Sequence, residues 1–319
     1  MAMTVVCMGE LLIDFVANET GVEVGQASGF MKAPGGAPAN VAVAIKRLGM
    51  DSAFIGQVGD DPFGHYLAGV LIENGVDASG LRFITEARTP LAFVSLKADG
   101  ERSFVFYRHP SADMLMTPDD VNYALIDNAR AFHFGSLALV AEPMRSATVA
   151  AASYALEKGV LVSYDPNLRL NLWPNADTAR TEITKALAYA SILKVSDDEL
   201  EFLTGGDVYA LWREYTRVIV VTRGRHGSAA YTRDGTFLLA EGQGVPTIDT
   251  TGAGDAFVGA LLVKLLSSED LDGLLETATN LGDVLHFANT VGAITTTKRG
   301  AIPALPTMAE VEALMHSAG

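Results

Sequence analysis

Val160-Leu161-Val162-Ser163-Tyr164 is a short apolar run rich in β-branched residues, and Ser191-Ile192-Leu193-Lys194-Val195 and Val218-Ile219-Val220-Val221 repeat the pattern downstream. Each has the length of a buried strand and is too short for a helix. Between the first two, residues 178–190 carry helical spacing. Ahead of them, residues 144–156 are Ala-rich and close on Lys158-Gly159, a helix C-terminus. Such alternation builds a parallel sheet with helices on both faces. From about residue 110 onward the chain reads as α/β, a doubly wound, mostly parallel sheet, and residues 1–319 read as a single domain.

Two regions break the rhythm. Leu91–Leu96 and residues 103–107 look extended and are joined by Lys97-Ala98-Asp99-Gly100-Glu101-Arg102, whose Asp-Gly is a hairpin signal. Residues 11–16 and 22–33 also look extended, with glycines at 21, 25 and 29. These pieces predict a small β-sheet lid built from about 11–33 and 91–107. With no helices of its own, it has a face left to cover a ligand, a partner subunit, or both. Leu91, Phe93, Phe104 and Phe106 alternate along it and predict a homodimer clasped through the lids.

Composition excludes several classes. The chain has 319 residues, 49% of them hydrophobic, with one cysteine and a formal net charge of −15. No Lys/Arg stripe is present, so nucleic acid is not an expected partner. A lone Cys7 offers neither an internal disulfide nor a Cys-based zinc site and fits a reducing compartment. The apolar start reaches Glu10 and Asp14 quickly and lacks a basic leader, so it reads as a first strand. With no apolar stretch of about 20 residues, no membrane partner is expected, and the expected location is cytoplasmic.

The strongest chemical signal is Asp249-Thr250-Thr251-Gly252-Ala253-Gly254-Asp255-Ala256-Phe257, which leads into an apolar helix running to about Leu266. Small residues opening a helix leave backbone N–H groups pointing one way, an anion pocket reinforced by the helix dipole. It is not a Walker A loop, and Phe257 stands where the dinucleotide fingerprint needs its third glycine. Asp255 in the first turn is a candidate proton acceptor for an alcohol attacking a phosphoryl group, with helix capping as the alternative. A second motif, Pro34-Gly35-Gly36-Ala37-Pro38-Ala39-Asn40, leads into a helix over residues 41–48. Its tandem glycines allow close backbone approach and Asn40 both donates and accepts, which suits a polyhydroxylated ligand as well as a plain turn. Asp14 is a candidate grip on sugar hydroxyls, with turn chemistry as its alternative. Tyr164-Asp165-Pro166-Asn167-Leu168-Arg169 falls at the carboxyl end of a strand, where α/β ligands bind, and Arg169 is placed to neutralise phosphoryl charge or to form a salt bridge. The six histidines are scattered without ligand spacing, and no Gly-x-Ser-x-Gly elbow occurs.

Together these residues resemble the ribokinase-like (PfkB) family of sugar kinases, with Gly35 to Asn40 similar to its N-terminal motif and Asp249 to Asp255 to its C-terminal one. The similarity runs in order from Gly9-Glu10 to residues 301–307. The fructokinase branch is nearest, through residues 106–115, residues 163–170 with Leu172-Trp173-Pro174, and residues 300–306. The resemblance implies ATP-dependent transfer of the γ-phosphoryl group to O6 of D-fructose, giving fructose 6-phosphate and ADP. It implies Asp255 as base, an anion hole at Gly252, Ala253 and Gly254, and Arg169 beside the transfer. Sugar positions are implied at Asp14, Gly35, Gly36 and Asn40, and lid positions at Ala92, Phe106 and Arg108. Nucleotide positions are implied at Ser196, Thr222, Gly224, Gly227 and Asn289. Magnesium is implied through water at Glu199, where Ser196 replaces the Asn of many members. A monovalent cation, potassium by ligand hardness, is implied at Asp249, Thr251, Thr295, Gly300 and Ala304.

Two alternatives stay open. A 2-keto-3-deoxygluconate kinase is kept in play by Arg108 and Arg169, whereas the neutral lid strand Leu91-Ala92-Phe93 favours an uncharged hexose. A non-catalytic sugar- or nucleotide-binding regulator is the other, set against retention of Asp255 and the glycines.

Overall fold

The structure, a computed structural model, describes residues 4–96, 102–268, 270–275 and 278–317. The Asp99-Gly100 connection lies outside them. The large sheet is built from β1 (Thr4–Met8), β4 (Asp51–Gly59), β5 (Asp77–Ile84), β8 (Ala129–Gly135), β9 (Leu161–Asp165), β10 (Ile192–Ser196), β11 (Val218–Thr222), β12 (Ser228–Thr232) and β13 (Phe237–Ala240). Their spatial order is β13-β12-β11-β10-β9-β8-β1-β4-β5. Pairing is parallel from β11 to β5, and antiparallel at β11–β12 and β12–β13. The expected doubly wound, mostly parallel sheet is what forms.

The apolar runs are continuous because both faces are covered. Val5 and Cys7 enter one buried layer, and Val6 and Met8 the other. Ile219 and Val221 likewise oppose Val218 and Val220. Among the described residues the helices are α1 (Ala37–Arg47), α2 (Pro62–Glu73), α3 (Tyr123–Asp127), α4 (Met144–Glu157), α5 (Ala176–Ala186), α6 (Asp197–Thr204), α7 (Ala253–Leu266), α8 (Leu271–Leu275), α9 (Ala278–Thr295) and α10 (Met308–Ser317). α1 starts four residues before the expected 41, because Pro38 fits a helix's first turn, where no N–H is required. α1 and α7 cross closely: a Cβ on Gly259 would lie 2.7 Å from the Ala44 methyl.

The small sheet is β3-β2-β6-β7, from β2 (Leu12–Thr20), β3 (Phe30–Gly35), β6 (Leu91–Leu96) and β7 (Arg102–Tyr107). Two expectations change. Residues 22–33 are not extended throughout, since a 3₁₀ turn at Val24–Gln26 precedes β3. Nor do Leu91, Phe93 and Phe106 share a face: Ala92 pairs with Phe106, while Leu91 pairs with Tyr107 and Phe93 with Val105. Opposite residues of an antiparallel pair point the same way, so Phe106 lies on the face opposite Phe93. The Phe104 side chain lies outside the described ones. Phe93 stacks on Phe15 at 5.0 Å, Phe15 meets Phe63 of α2, and Lys32 sits 3.3 Å over the Tyr66 ring. At the lid's root, Asp61 caps α2 and accepts the Thr89 N–H and hydroxyl, both at 2.9 Å.

Candidate active site

Strand order reverses between β1 and β8, which lead outward in opposite directions, and α/β ligands bind at the carboxyl edge of such a crevice. A cavity of about 180 Å³ lies there. β1 leads to Glu10, β8 ends at Gly135-Ser136, β9 leads to Pro166-Asn167, and α1 and α7 begin beside them.

α1 starts at Gly36, with φ of 112°; the Glu10 carbonyl occupies the space a Cβ would need. The adjoining Gly35 is held against the Asp14 carboxylate in the same way. Asp14 lies within β2 rather than in a turn, in one cross-strand row with Ala33, Ala92 and Phe106. Asp14 and Phe106 line the cavity from this row, while Ala92 is buried and keeps the row narrow.

α7 starts at Gly252, whose φ of 78° turns the chain against Ala301. The Ala253 N–H closes this turn onto the Thr250 carbonyl at 3.3 Å, which corrects its expected place in the anion hole. The N–H groups of Gly252, Gly254 and Asp255 have no hydrogen-bond partner among the described residues. Three donors therefore converge at the positive end of a fourteen-residue helix.

The Asp255 carboxylate accepts from Asn40 Nδ2 at 2.7 Å and Asn167 Nδ2 at 3.3 Å. Burial raises its pKa above the ordinary aspartate value, opposed by the Asn40 hydrogen bond and the positive charges of Arg169 and Lys194. Arg169 lines the same cavity, its Nη1 held by the Asn167 and Leu168 carbonyls at 3.4 and 3.1 Å. Asn167 was not singled out in the sequence. It is held at φ 44°, with its N–H on Asp165 Oδ1 at 3.1 Å, and no local pattern forecasts that bend.

Beneath the α7 turn, Lys194 Nζ meets both Asp165 oxygens at 3.1 Å, and a Cβ on Gly254 would lie 3.7 Å from that ammonium. Burial alone lowers a lysine pKa, but the carboxylates of Asp165, Glu199 and Asp255 outweigh it and hold Lys194 protonated. Glu199 accepts the Leu168 N–H at 2.6 Å and the Ser196 N–H at 2.7 Å, while Ser196 Oγ accepts the Glu199 N–H at 3.1 Å. The acidic segment is thus a capping box, with Glu199 tying α6 to the Arg169 loop.

Arg108 is placed differently from the expectation. It is buried, with Nε 2.8 Å and Nη2 2.6 Å from Asp113 Oδ2, and a further bond to the Leu137 carbonyl at 3.2 Å. A guanidinium paired on this scale stands behind the wall, and it is absent from the cavity lining.

The expected nucleotide residues form a second group along the same sheet edge, outside that cavity. Thr222 ends β11 beside Ser196 of β10. In the turn after it, Gly224 and Gly227 have φ of 51° and 87°, and residues 240–242 press on Gly227 where a Cβ would stand. Asn289 of α9 joins them by donating to the Glu241 and Ala240 carbonyls at 3.2 and 3.4 Å. Asp249 ties the loop before α7 to the far segment, accepting the Thr251 N–H at 3.0 Å, its hydroxyl at 2.7 Å and the Gly300 N–H at 2.9 Å. Thr296 adds its carbonyl to Ile248 and Asp249. Thr251 and Gly300 are thus drawn to one acidic side chain, while Thr295 ends α9 and Ala304 closes the 3₁₀ turn Ile302–Ala304. Among the described residues no trio of His, Cys, Asp or Glu is placed to hold a metal, and no helix is long and apolar enough to cross a membrane.

With this geometry in place, the family model described as pfkB family carbohydrate kinase matches residues 2–308. The chain belongs to the pfkB family of carbohydrate kinases. A relative, the probable fructokinase-4 of Arabidopsis thaliana, is 52% identical over 317 residues, covering 98% of this chain and 96% of that protein. The fructokinase of Xylella fastidiosa with bound ATP superposes with a TM-score of 0.92 at 34% identity, over 99% of this chain and 98% of the other. A double mutant of the Vibrio cholerae O395 fructokinase, in a form binding fructose, ADP and a potassium ion, gives 0.85 at 37% identity, over 98% and 97%.

Proposed function

We propose that this carbohydrate kinase transfers the γ-phosphoryl group of ATP to O6 of D-fructose, giving fructose 6-phosphate and ADP. One observation carries the reading: a buried carboxylate with raised pKa shares a cavity with free helix-N-terminal amides. The sugar hydroxyl attacks phosphorus, the new O–P bond forms as the bond to the β-phosphate oxygen breaks, and the hydroxyl proton passes to Asp255. Asn40 and Asn167 aim the carboxylate, and raised basicity improves it as an acceptor. The amides of Gly252, Gly254 and Asp255, with Arg169, stabilise charge on the phosphoryl oxygens. ATP lies along Ser196, Thr222, Gly224–Gly227 and Asn289.

The donor sets fit the ions the family implies. Magnesium suits the carboxylate of Glu199, through water, because both its oxygens already anchor backbone and keep only outward lone pairs. When bound it neutralises phosphate charge. Potassium suits Asp249 with the carbonyls of Thr251, Thr295, Gly300 and Ala304, a hard-oxygen set. The single-domain reading of residues 1–319, with its lid, belongs to this proposal, as do cytoplasmic location and a homodimer through the lids. Support for the dimer comes from Met31, Val105 and Tyr107, the last 64% exposed, on the lid.

An uncharged sugar is favoured over a sugar acid because Glu10, Asp14 and Asp255 line the cavity against Arg169, with Arg108 consumed by Asp113. The test is a substrate panel with purified protein, ATP and Mg²⁺. The expected result is the highest kcat/KM on D-fructose; preference for 2-keto-3-deoxygluconate, or no transfer to any sugar, overturns the reading.

A further inference from the structure

Eight buried side-chain polar atoms have no hydrogen-bond partner among the described residues. Three of them, Glu10 Oε2, Asn40 Oδ1 and Ser136 Oγ, belong to residues lining the same cavity, whereas the other five are on residues outside its lining. Glu10 is 4% exposed and Ser136 is fully buried. Buried polar atoms are normally satisfied, so a cluster of orphans around one cavity marks where a ligand's own polar groups complete the network. Asn40 belongs to the glycine motif of residues 34–40, whereas Glu10 and Ser136 lie outside it and outside the proton-transfer machinery.

We propose that Glu10 and Ser136 are specificity-determining residues, each hydrogen-bonding a hydroxyl of the bound sugar other than the one phosphorylated. This rests on the kinase reading given above. Their positions are fixed from the backbone. Glu10 follows β1, and its Oε1 is anchored by the Ala37 N–H at 2.9 Å, leaving Oε2 as the oxygen without a partner in a residue that lines the cavity. Ala37 precedes Asn40 by three residues, a rise of about 4.5 Å along α1, so the backbone amide that anchors Glu10 lies within about one turn of the side chain that holds Asp255. Ser136 follows β8, with its N–H on the Pro166 carbonyl at 3.1 Å, so its backbone is tied to the loop that carries Asn167, and Ser136, Pro166 and Asn167 all line the cavity. The two strands are neighbours at the point where strand order reverses.

The chemistry matches a polyol. A sugar hydroxyl donates and accepts, so it satisfies Ser136 Oγ and Glu10 Oε2 in either protonation state of the carboxyl. Burial pushes Glu10 up to about 7, with Arg108 opposing that rise and Asp113 adding to it. Asp14 and Asp255 are the other carboxyls on the cavity and Arg169 its cation. Arg108 thus becomes a positioning residue: it faces Glu10 from behind and holds the Leu137 carbonyl next to Ser136.

The test pairs Ser136→Ala and Glu10→Gln with D-fructose and its 1-, 3- and 4-deoxy analogues, reading fructose affinity by calorimetry and transfer by steady-state kinetics. Gln keeps an acceptor for the Ala37 N–H, and the Ala variant removes one atom and serves alone if the first does not fold. Ser136→Ala is expected to lose about tenfold in fructose affinity, and Glu10→Gln, whose amide still meets a hydroxyl, about threefold, with KM for ATP unchanged in both. The loss is expected to vanish on the analogue lacking the matching hydroxyl. Wild-type fructose affinity in both variants, or equal losses on every analogue, overturns the proposal while transfer by the wild type upholds the kinase reading. Site-matched losses in binding with no transfer by the wild type support the proposal and remove the kinase reading. No fructose binding by the wild type overturns both.

Discussion

Asn40 Nδ2 lies 2.7 Å from Asp255 Oδ2, although 215 residues separate them in the chain. The bond joins the first turns of α1 and α7, so the residue expected to grip sugar also aims the residue expected to take its proton. Asp255→Asn should lower kcat by about 10³-fold, within the range of a lost general base, with ATP affinity retained. Isothermal titration with ATP beside a turnover assay checks this, and full turnover in the variant removes Asp255 as the acceptor.

The pH profile carries the same information. The pKa of Asp255 is raised by burial and lowered by Asn40 and Arg169, and transfer needs the ionised form. Activity should therefore rise with pH along a limb lying above the ordinary aspartate value. Arg169→Gln and Asn40→Ala each remove a lowering influence, so both should move that limb to higher pH. A kcat–pH series on the three proteins measures the shift; a limb moving to lower pH contradicts the arrangement.

Gly36→Ala places a methyl group against the Glu10 carbonyl at a φ of 112°. Strain of about 1–3 kcal/mol follows, in line with a residue forced into a glycine-only region. Because Glu10 and Asn40 are both set by this turn, KM for the sugar should rise more than KM for ATP. Chemical denaturation and two-substrate kinetics separate these effects.

Breaking the Arg108–Asp113 pair should be costly. Both side chains are buried, and Asp113→Ala would leave a guanidinium without its partner, a loss of about 3–5 kcal/mol. The double variant Arg108→Met/Asp113→Leu should recover most of that stability. Denaturant midpoints for the single and double variants decide it, and equal midpoints contradict a coupled buried pair.

Glu10 also links stability to pH. Its native pKa, about 7, exceeds the ordinary 4.5, so the native state holds this proton where the unfolded chain has released it. Its contribution is complete below pH 4.5 and is lost as pH rises to about 7. Glu10→Gln should flatten the fall in unfolding free energy across that window. Asp165, also pushed up to about 7 by burial, leaves part of the slope in place. An unchanged slope in the variant assigns it wholly to other groups.

The fold was legible because its signals are local and repeated. Runs such as residues 218–221 are apolar on both faces, as only a covered parallel sheet requires. The site was legible where it is written in backbone: the motifs at 34–40 and 249–257 both open helices, which turn in at Gly36 and Gly252 with positive φ. Side-chain partnerships were not. Nothing in the order of residues shows that Asp113 captures Arg108, or that the Ala253 amide closes a turn. Lid facing was misread because register, not alternation within one strand, decides which aromatics share a side. Glu10 had a weak signal, a carboxylate directly after a buried strand at the ligand-binding edge. Ser136 had none, since an orphaned hydroxyl is a property of the packed molecule.

The contact between Gly259 and Ala44 leaves no room for a larger residue where α1 crosses α7. The crossing makes one rigid strut of the two helices, and the proton acceptor and its amide partner are carried on it as a fixed pair. Retuning such a scaffold toward a different sugar would be pointless there. Diversification, whether by evolution or by engineering, has its freedom at the strand ends and the lid, where exchanging one side chain leaves the strut intact.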